Sequence, residues 1–102
     1  MRIEVIGEGT ISQQARTYAE YRVFAALTQF AEADTIQRVR VLLRPAKLGS
    51  RESIACAVTV ALEGSEWFRI RTTGPHAYAA INRAVERIRA HVPSGMVDSV
   101  SV

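Results

Sequence analysis

Apolar and polar residues alternate with a period of two in four stretches of the chain, as they do in strands that bury one face. The first stretch, Arg2–Gly7, places Ile3 and Val5 on one side. The same alternation returns in residues 36–44, 53–62 and 66–73. Gly64 and Ser65 separate the last two stretches and predict a tight hairpin turn. The pattern therefore predicts four strands, each with one apolar face to cover.

Two further stretches follow a helical period. Ser12 is a predicted N-cap, and the helix after it is expected to reach about Phe30. Its apolar stripe comprises Ala15, Ala19, Val23, Ala26 and Phe30. A second helix is predicted from about Pro75, a residue that suits a first helical turn. Its apolar stripe comprises Ala77, Ile81, Ala84, Val85, Ile88 and Val92.

The resulting order is β-α-β-β-β-α, which predicts an α+β fold with both helices on one face of a four-stranded sheet. The third strand is expected to lie between the second and the fourth. Pro45–Glu52, rich in turn residues, is predicted to be a loop. Residues 1–92 form one predicted domain, and the unpatterned residues 93–102 are predicted to be a flexible tail.

Composition narrows the class of protein. The chain is 48% hydrophobic and 23% charged, as expected for a globular domain. It has no apolar run near the roughly 20 residues that a membrane span requires. The single cysteine, Cys56, excludes an internal disulfide and favours a cytoplasmic location. His76 and His91 lack metal-ligand spacing, so we expect no metal, no cofactor and no enzymatic activity.

The net charge is only +3, but twelve of the thirteen basic residues are arginine. The guanidinium group suits phosphates, whereas a genome rich in arginine codons would explain the same bias. On the predicted open face of the sheet, a floor of small residues lies between two rows of outward side chains. These rows consist of Arg38, Arg40 and Arg44 on one strand and Trp67, Arg69 and Arg71 on the other. The face could bind RNA, with Trp67 stacking on a base, or it could be a solvated or self-associating surface.

The helices and the predicted loop carry a second set of cations. Arg83 and Arg87 lie one turn apart on the outer face of the second helix, with His76 and His91 nearby. The other members of the set are Arg16 and Arg22 on the first helix and Lys47 and Arg51 in the loop. Any single cation can be plain solvation, but the set as a whole favours RNA, since phosphate neutralisation usually dominates affinity.

Three motifs carry a resemblance to a known family. They are "ARTYAEYRV…F" from Ala15, "IQRVRVLLR" from Ile36 and "YAAIN" from Tyr78. In this order the chain resembles the ribosome hibernation promoting factor and ribosome-associated inhibitor family. The resemblance implies binding to small-subunit rRNA near the decoding region, which silences translation under stress or in stationary phase. It also implies roles for the basic positions Arg16, Arg22, Arg44, Lys47 and Arg87.

The chain departs from the family at several positions. His76 and Asn82 stand where the family usually carries acidic residues, and Ala25 stands at a basic position. The family's lysine-rich helix end is missing. Two other functions therefore stay open: a general double-stranded RNA binder, and a protein-interaction module that no longer binds ribosomes. A homodimer could form through the open sheet or through Tyr21 and Phe24, which point away from the apolar stripe.

Overall fold

The computed structural model describes the backbone of residues 1–101 and the side chains of residues 1–91. Its elements follow the predicted order and confirm the α+β class. In chain order they are β1 (Arg2–Gly7), α1 (Gln13–Leu27), a 3-10 turn (Ala33–Thr35), β2 (Ile36–Leu48), β3 (Arg51–Leu62), β4 (Ser65–Gly74) and α2 (Ala77–Ser101).

The four strands form one sheet in the order β1-β2-β3-β4, so β3 lies between β2 and β4 as predicted. Strand β1 runs parallel to β2, while β2, β3 and β4 pair with one another in antiparallel fashion. Both helices pack on the same face of this sheet and against each other. Strands β1 and β4 are the two edges.

The core lies between the sheet and the two helices. The predicted stripe of α1 is buried, and the side-chain oxygen of Ser12 accepts a hydrogen bond from the Ala15 amide at 3.1 Å, as expected for an N-cap. Alanines on both helices are fully buried, which lets the helices lie close to the sheet. Cys56 is also buried in this core. The first helix ends at Leu27, three residues before its predicted end, yet Phe30 remains buried.

The predicted loop Pro45–Glu52 is wrong, because β2 and β3 continue through it as a hairpin. Their pairing extends to Leu48 opposite Arg51. Only two residues turn the chain, and Gly49 there has a φ of +65°, which glycine adopts without strain. Strand β1 stops opposite Leu43 and β4 stops opposite Ile54. Residues 45–53 therefore form a two-stranded arm that projects beyond the rest of the sheet.

The predicted outward position of Trp67 is also wrong. Phe68 pairs with Val60 and Glu66 pairs with Ala61, so Trp67 is the extra residue of a β-bulge. Its ring instead packs on the helix side of the sheet, with its centroid 5.0 Å from that of Phe30 and 5.1 Å from that of Phe68. Sequence alternation cannot anticipate a bulge, which shifts the register by one residue.

Helix α2 is assigned through Ser101, so the helical backbone continues beyond Pro93. The sequence predicts a domain of residues 1–92 followed by a flexible tail of residues 93–102. The flexibility of that tail lies outside the described residues and stays a prediction.

Candidate nucleic-acid interface

The predicted site residues divide between two surfaces on opposite sides of the molecule. The first is the open face of the sheet, which no helix covers. The second is the helical surface, formed by the outward sides of α1 and α2 together with the hairpin arm. Trp67 belongs to neither surface, because it is packed against the core.

On the open face, cross-strand pairing brings the arginine rows together as predicted. Arg40 pairs with Thr59, and Thr59 pairs with Arg69 on the far side. The two arginines thus lie roughly 10 Å apart across β3. Together with Arg38 and Ala61 they line a depression of about 190 Å³. The predicted trough exists, although without an aromatic residue from Trp67.

Carboxylates lie beside three of the five predicted arginines of this face, whereas Arg38 and Arg71 have no carboxylate within 4.0 Å among the described residues. Arg40 lies 3.2 Å from Glu4, Arg69 lies 3.1 Å from Glu66, and Arg44 lies 3.9 Å from Glu8. Among the described residues, all three ion pairs occur on the open face. The sequence pattern showed the arginines but not these pairs, since Glu4 and Arg40 are neighbours only through the β1–β2 register. A phosphate at these arginines would meet a neighbouring carboxylate, whose negative charge weakens the attraction.

The apolar residues Ile6 and Leu42 interrupt the arginine rows. They are directly paired and lie on the same side of the sheet as Arg40. Ala57 pairs with Leu42 and continues this row toward Arg71. The middle of the open face is therefore partly apolar, and its cations are split into two groups.

On the helical surface, a polar and aromatic seam joins α1 to α2. The Tyr18 hydroxyl donates a 2.7 Å hydrogen bond to Oδ1 of Asn82, and its ring centroid lies 5.0 Å from that of Tyr78. The Arg22 guanidinium lies 6.0 Å from the centre of the Tyr18 ring, within cation–π range. Tyr78 stays partly exposed at the surface.

Sequence reasoning did not assign a role to Tyr18 or Tyr78. They are far apart along the chain, and only the packing of α1 on α2 joins them. Asn82, one of the positions where the chain departs from the family, is neutral and serves as the acceptor of Tyr18. The seam therefore places two rings beside Arg22 without adding a negative charge.

Arg83 and Arg87 are exposed, as predicted, and they are also anchored. Arg83 Nη1 donates to the Thr73 carbonyl oxygen at 2.6 Å, and Arg87 Nη1 donates to the Arg71 carbonyl oxygen at 3.3 Å. Both acceptors belong to the edge strand β4. Each arginine uses one of its five N–H groups in this way, so most of its donors remain available to a phosphate.

Arg16 lies beside the end of β1. Its Nη2 atom is 3.5 Å from the Gly7 carbonyl oxygen, and a Cβ atom at Gly7 would stand 2.7 Å from Nε of Arg16. Glycine at position 7 therefore provides the space that Arg16 occupies. Like Arg22, Arg16 is half-buried, so its position is restricted by packing.

Lys47 lies on the hairpin arm rather than in a flexible loop, and Arg51 begins β3 beside the turn. Both are exposed. The arm overhangs the end of the molecule where both helices begin. There it borders a concavity of about 580 Å³, whose lining includes Lys47 and Glu52 as well as Thr10 and Pro75. The partial positive charge of the helix N-termini and Lys47 favour an anion there, whereas Glu52 opposes one.

The two histidines are separated. His76 accepts a 3.2 Å hydrogen bond from the Ala79 amide through Nδ1 and so caps the start of α2. His91 packs against Phe68, with ring centroids 4.4 Å apart. It is therefore part of the aromatic cluster and not of the cationic surface, which corrects the predicted grouping with Arg83 and Arg87.

Three further observations concern chemistry and membranes. No group of three potential metal ligands occurs within the part of the chain whose side chains are described. Burial raises the pKa of Cys56 to about 12, so its thiol stays protonated and poorly nucleophilic at neutral pH. Over the described residues, no helix is long and apolar enough to span a bilayer.

Comparison with known proteins supports the resemblance that the sequence motifs indicated. No protein-family model and no curated protein sequence matches the chain. Among solved structures, a ribosomal subunit interface protein from Coxiella burnetii matches at 17% identity with a TM-score of 0.72. That match covers 95% of this chain and 99% of the other.

A second structure, the N-terminal domain of Thermus thermophilus Protein Y, matches at 27% identity with a TM-score of 0.67. It covers 90% of this chain and 96% of that domain. The resemblance predicted from the three sequence motifs is thus confirmed in three dimensions. The chain shares its fold, over nearly its whole length, with a ribosomal subunit interface protein and with the Protein Y N-terminal domain.

Proposed function

We propose that the protein is a ribosome-associated factor that binds the small subunit and silences translation under stress or in stationary phase. The observation that carries this proposal is the match, over nearly the whole chain, to a ribosomal subunit interface protein and to the N-terminal domain of Protein Y. Fold alone does not imply function, so the surface must also suit RNA. The cationic helical surface meets that condition.

The helical surface is the better candidate for the rRNA contact. Arg22, Arg83 and Arg87 interact with neutral groups, namely a tyrosine ring and two backbone carbonyls. No carboxylate lies within 4.0 Å of a helical arginine among the described residues. A phosphate can therefore bind these guanidinium groups without displacing an acid. Binding would release counterions from the RNA, which favours association at low salt.

The aromatic seam supplies a second kind of contact. Tyr78 is partly exposed and is held by Tyr18, so an unpaired base could stack on it beside Arg22. Folded rRNA presents such bases in loops and bulges. Lys47 and Arg51 on the hairpin arm would extend the contact past the helix N-termini. In this arrangement the protein acts by occupying the decoding region, in the cytoplasm and without chemistry.

Sedimentation tests this function. Lysate from starved cells is separated on sucrose gradients at several salt concentrations, and each fraction is probed for the protein. We expect the protein to co-sediment with small subunits at low salt and to be released as salt rises. Retention at the top of the gradient at every salt concentration would contradict the proposal.

A further inference from the structure

The two edges of the sheet are treated differently. On β4, Arg83 and Arg87 donate to backbone carbonyls of Thr73 and Arg71, and so cover part of the edge. On β1, the only described side chain that hydrogen-bonds to the strand backbone is that of Arg16, at the last residue of the strand. An uncovered edge offers backbone donors and acceptors to a further strand.

An apolar patch lies next to this open edge. Tyr21 and Phe24 on α1 are 69% and 49% exposed, and Met1 at the start of β1 is 42% exposed. Together with Ile3 they line a groove of about 390 Å³, whose rim also carries Thr17 and Glu20. The exposure of Tyr21 and Phe24 shows that α1 is not rolled to bury them. The patch and the open edge form one continuous surface.

Strand β1 carries one cation and one carboxylate on its open face, and a second β1 strand can pair with both. Arg2 faces Arg38 across the sheet, so two cations lie side by side, and Arg2 makes no ion pair among the described residues. Glu4 lies two residues further along on the same open face, where its Oε1 accepts from Arg40 and its Oε2 has no hydrogen bond among the described residues. In an antiparallel pair, directly opposed residues share a face. An antiparallel β1 from another copy can therefore bring a carboxylate to Arg2.

We propose that the protein forms a homodimer through antiparallel pairing of two β1 strands, with the two Ile3 residues facing each other on the two-fold axis. Each Arg2 then lies opposite Glu4 of the other copy, and each Met1 lies opposite Val5. The pairing joins the two four-stranded sheets into one continuous sheet. The groove lined by Tyr21 and Phe24 borders the axis, so the apolar patches of the two copies meet there.

The register follows from the same charges. If Glu4 lay on the axis, two carboxylates would face each other, which destabilises a strand pair. With Val5 on the axis, Met1 and the neighbouring patch would lie beyond the end of the second copy's β1. The register centred on Ile3 satisfies both constraints. The dimer also leaves the helical arginines and the hairpin arm outside the interface.

Sedimentation velocity over a concentration series tests the dimer with one informative variant. Arg2→Glu places a carboxylate opposite Glu4 of the second copy, so we expect the dimer Kd to rise at least about tenfold. The same change puts a carboxylate opposite Arg38 within the chain, so the melting temperature should not fall. Leu48→Ser, which removes an exposed apolar side chain from the distant arm, is the matched control and should dimerise normally.

Cysteine crosslinking tests the register. Ile3→Cys should form a disulfide-linked dimer under mild oxidation, because directly opposed Cα atoms lie about 4.5–5.5 Å apart. Val5→Cys should not, since two Val5 residues would be roughly 13 Å apart along the strands. Native Cys56 can stay in place, being buried. A monomer at all concentrations, dimers unaffected by Arg2→Glu, or crosslinking through Val5→Cys would each overturn the proposal.

Discussion

The two arginine-bearing surfaces differ in what surrounds their charges. On the open face, Arg40, Arg44 and Arg69 each lie within 4.0 Å of a glutamate. On the helical surface, Arg83 and Arg87 are anchored to backbone carbonyls instead. A carbonyl orients a guanidinium group without cancelling its charge. The number of arginines on a surface is therefore a poor guide to its affinity for a polyanion.

The pairs on the open face also have a structural explanation. They join β1 to β2 and brace the start of β4, and exposed pairs of this kind contribute about 0–1 kcal/mol to stability. An RNA that used this face would meet the carboxylates beside Arg40, Arg44 and Arg69, so these three arginines would add little affinity. The helical surface and the hairpin arm therefore account for most of the expected affinity, and substitutions on each surface can separate the two.

The largest effect is expected for Arg83→Glu with Arg87→Glu. If both side chains contact phosphates, the slope of log affinity against log salt should flatten by about two units. That corresponds to about a hundredfold weaker binding to small subunits at about 0.1 M salt. Filter binding or gradient sedimentation over a salt series measures it. An unchanged slope would remove these residues from the interface.

The same double variant should also lose some stability, since both hydrogen bonds to β4 disappear. At the lower end of the usual range they contribute about 1 kcal/mol together. For a domain of this size the melting temperature should fall by roughly 5 °C. The substitution pair Arg83→Lys with Arg87→Lys keeps the charge and gives the matched control for RNA binding. Complete unfolding of the double glutamate variant would mean that the arginines serve stability above all.

Tyr78→Ala should have the next largest effect. Loss of a stacked base costs about 1–3 kcal/mol, or roughly fivefold or more in affinity. Tyr78→Phe keeps the ring and should bind normally, which separates stacking from hydrogen bonding by the hydroxyl group. Equal binding by the alanine variant and the unmodified protein would show that the aromatic seam is only a helix–helix contact.

Arg40→Gln with Arg69→Gln should have a small effect. It removes two positive charges from the open face, the same number as Arg83→Gln with Arg87→Gln removes from the helical surface. We expect no more than about a threefold loss of affinity from the sheet variant, because its arginines are already paired. Competition binding to purified small subunits compares the two directly. A larger loss from the sheet variant would reverse the assignment of the interface.

Cys56 lies buried in β3 and gives a purely structural readout, with no effect expected on RNA affinity. Its pKa is raised from 9.0 to about 12 in the folded protein. The protonated thiol therefore stabilises the folded state fully below about pH 9, and this contribution is lost as the pH rises from about 9 toward 12. The slope is at most about 1.4 kcal/mol per pH unit. Urea unfolding at several pH values checks it, with Cys56→Ala as the control that lacks this slope.

The parts of the molecule that depend on periodicity were predictable from the sequence. Ser12 caps α1, and β1 begins and ends where the alternation indicated. Features that depend on register were not predictable. The bulge at Trp67 and the pairing of Glu4 with Arg40 require knowledge of which residues lie opposite each other. A loop was predicted where the arm of residues 45–53 lies, because proline and glycine are typical of loops. The same residues also fit a hairpin with a two-residue turn.

The candidate site was predictable in its charges but not in its partners. Arg83 and Arg87 follow from helical spacing, whereas their acceptors on β4 come from tertiary packing. The seam of Tyr18 and Tyr78 joins distant parts of the chain, which no local pattern reveals. The proposed role of each site residue therefore depends on packing that only the structure provides.

Ultraviolet crosslinking of the unmodified protein to purified small subunits, followed by mass spectrometry of the crosslinked peptides, would locate the RNA contact without any substitution. If the helical surface binds rRNA, crosslinks should fall within residues 16–22 and 76–89, with additional ones on the arm at 47–51. Crosslinks confined to the open face, in residues 38–44 and 66–73, would contradict this assignment.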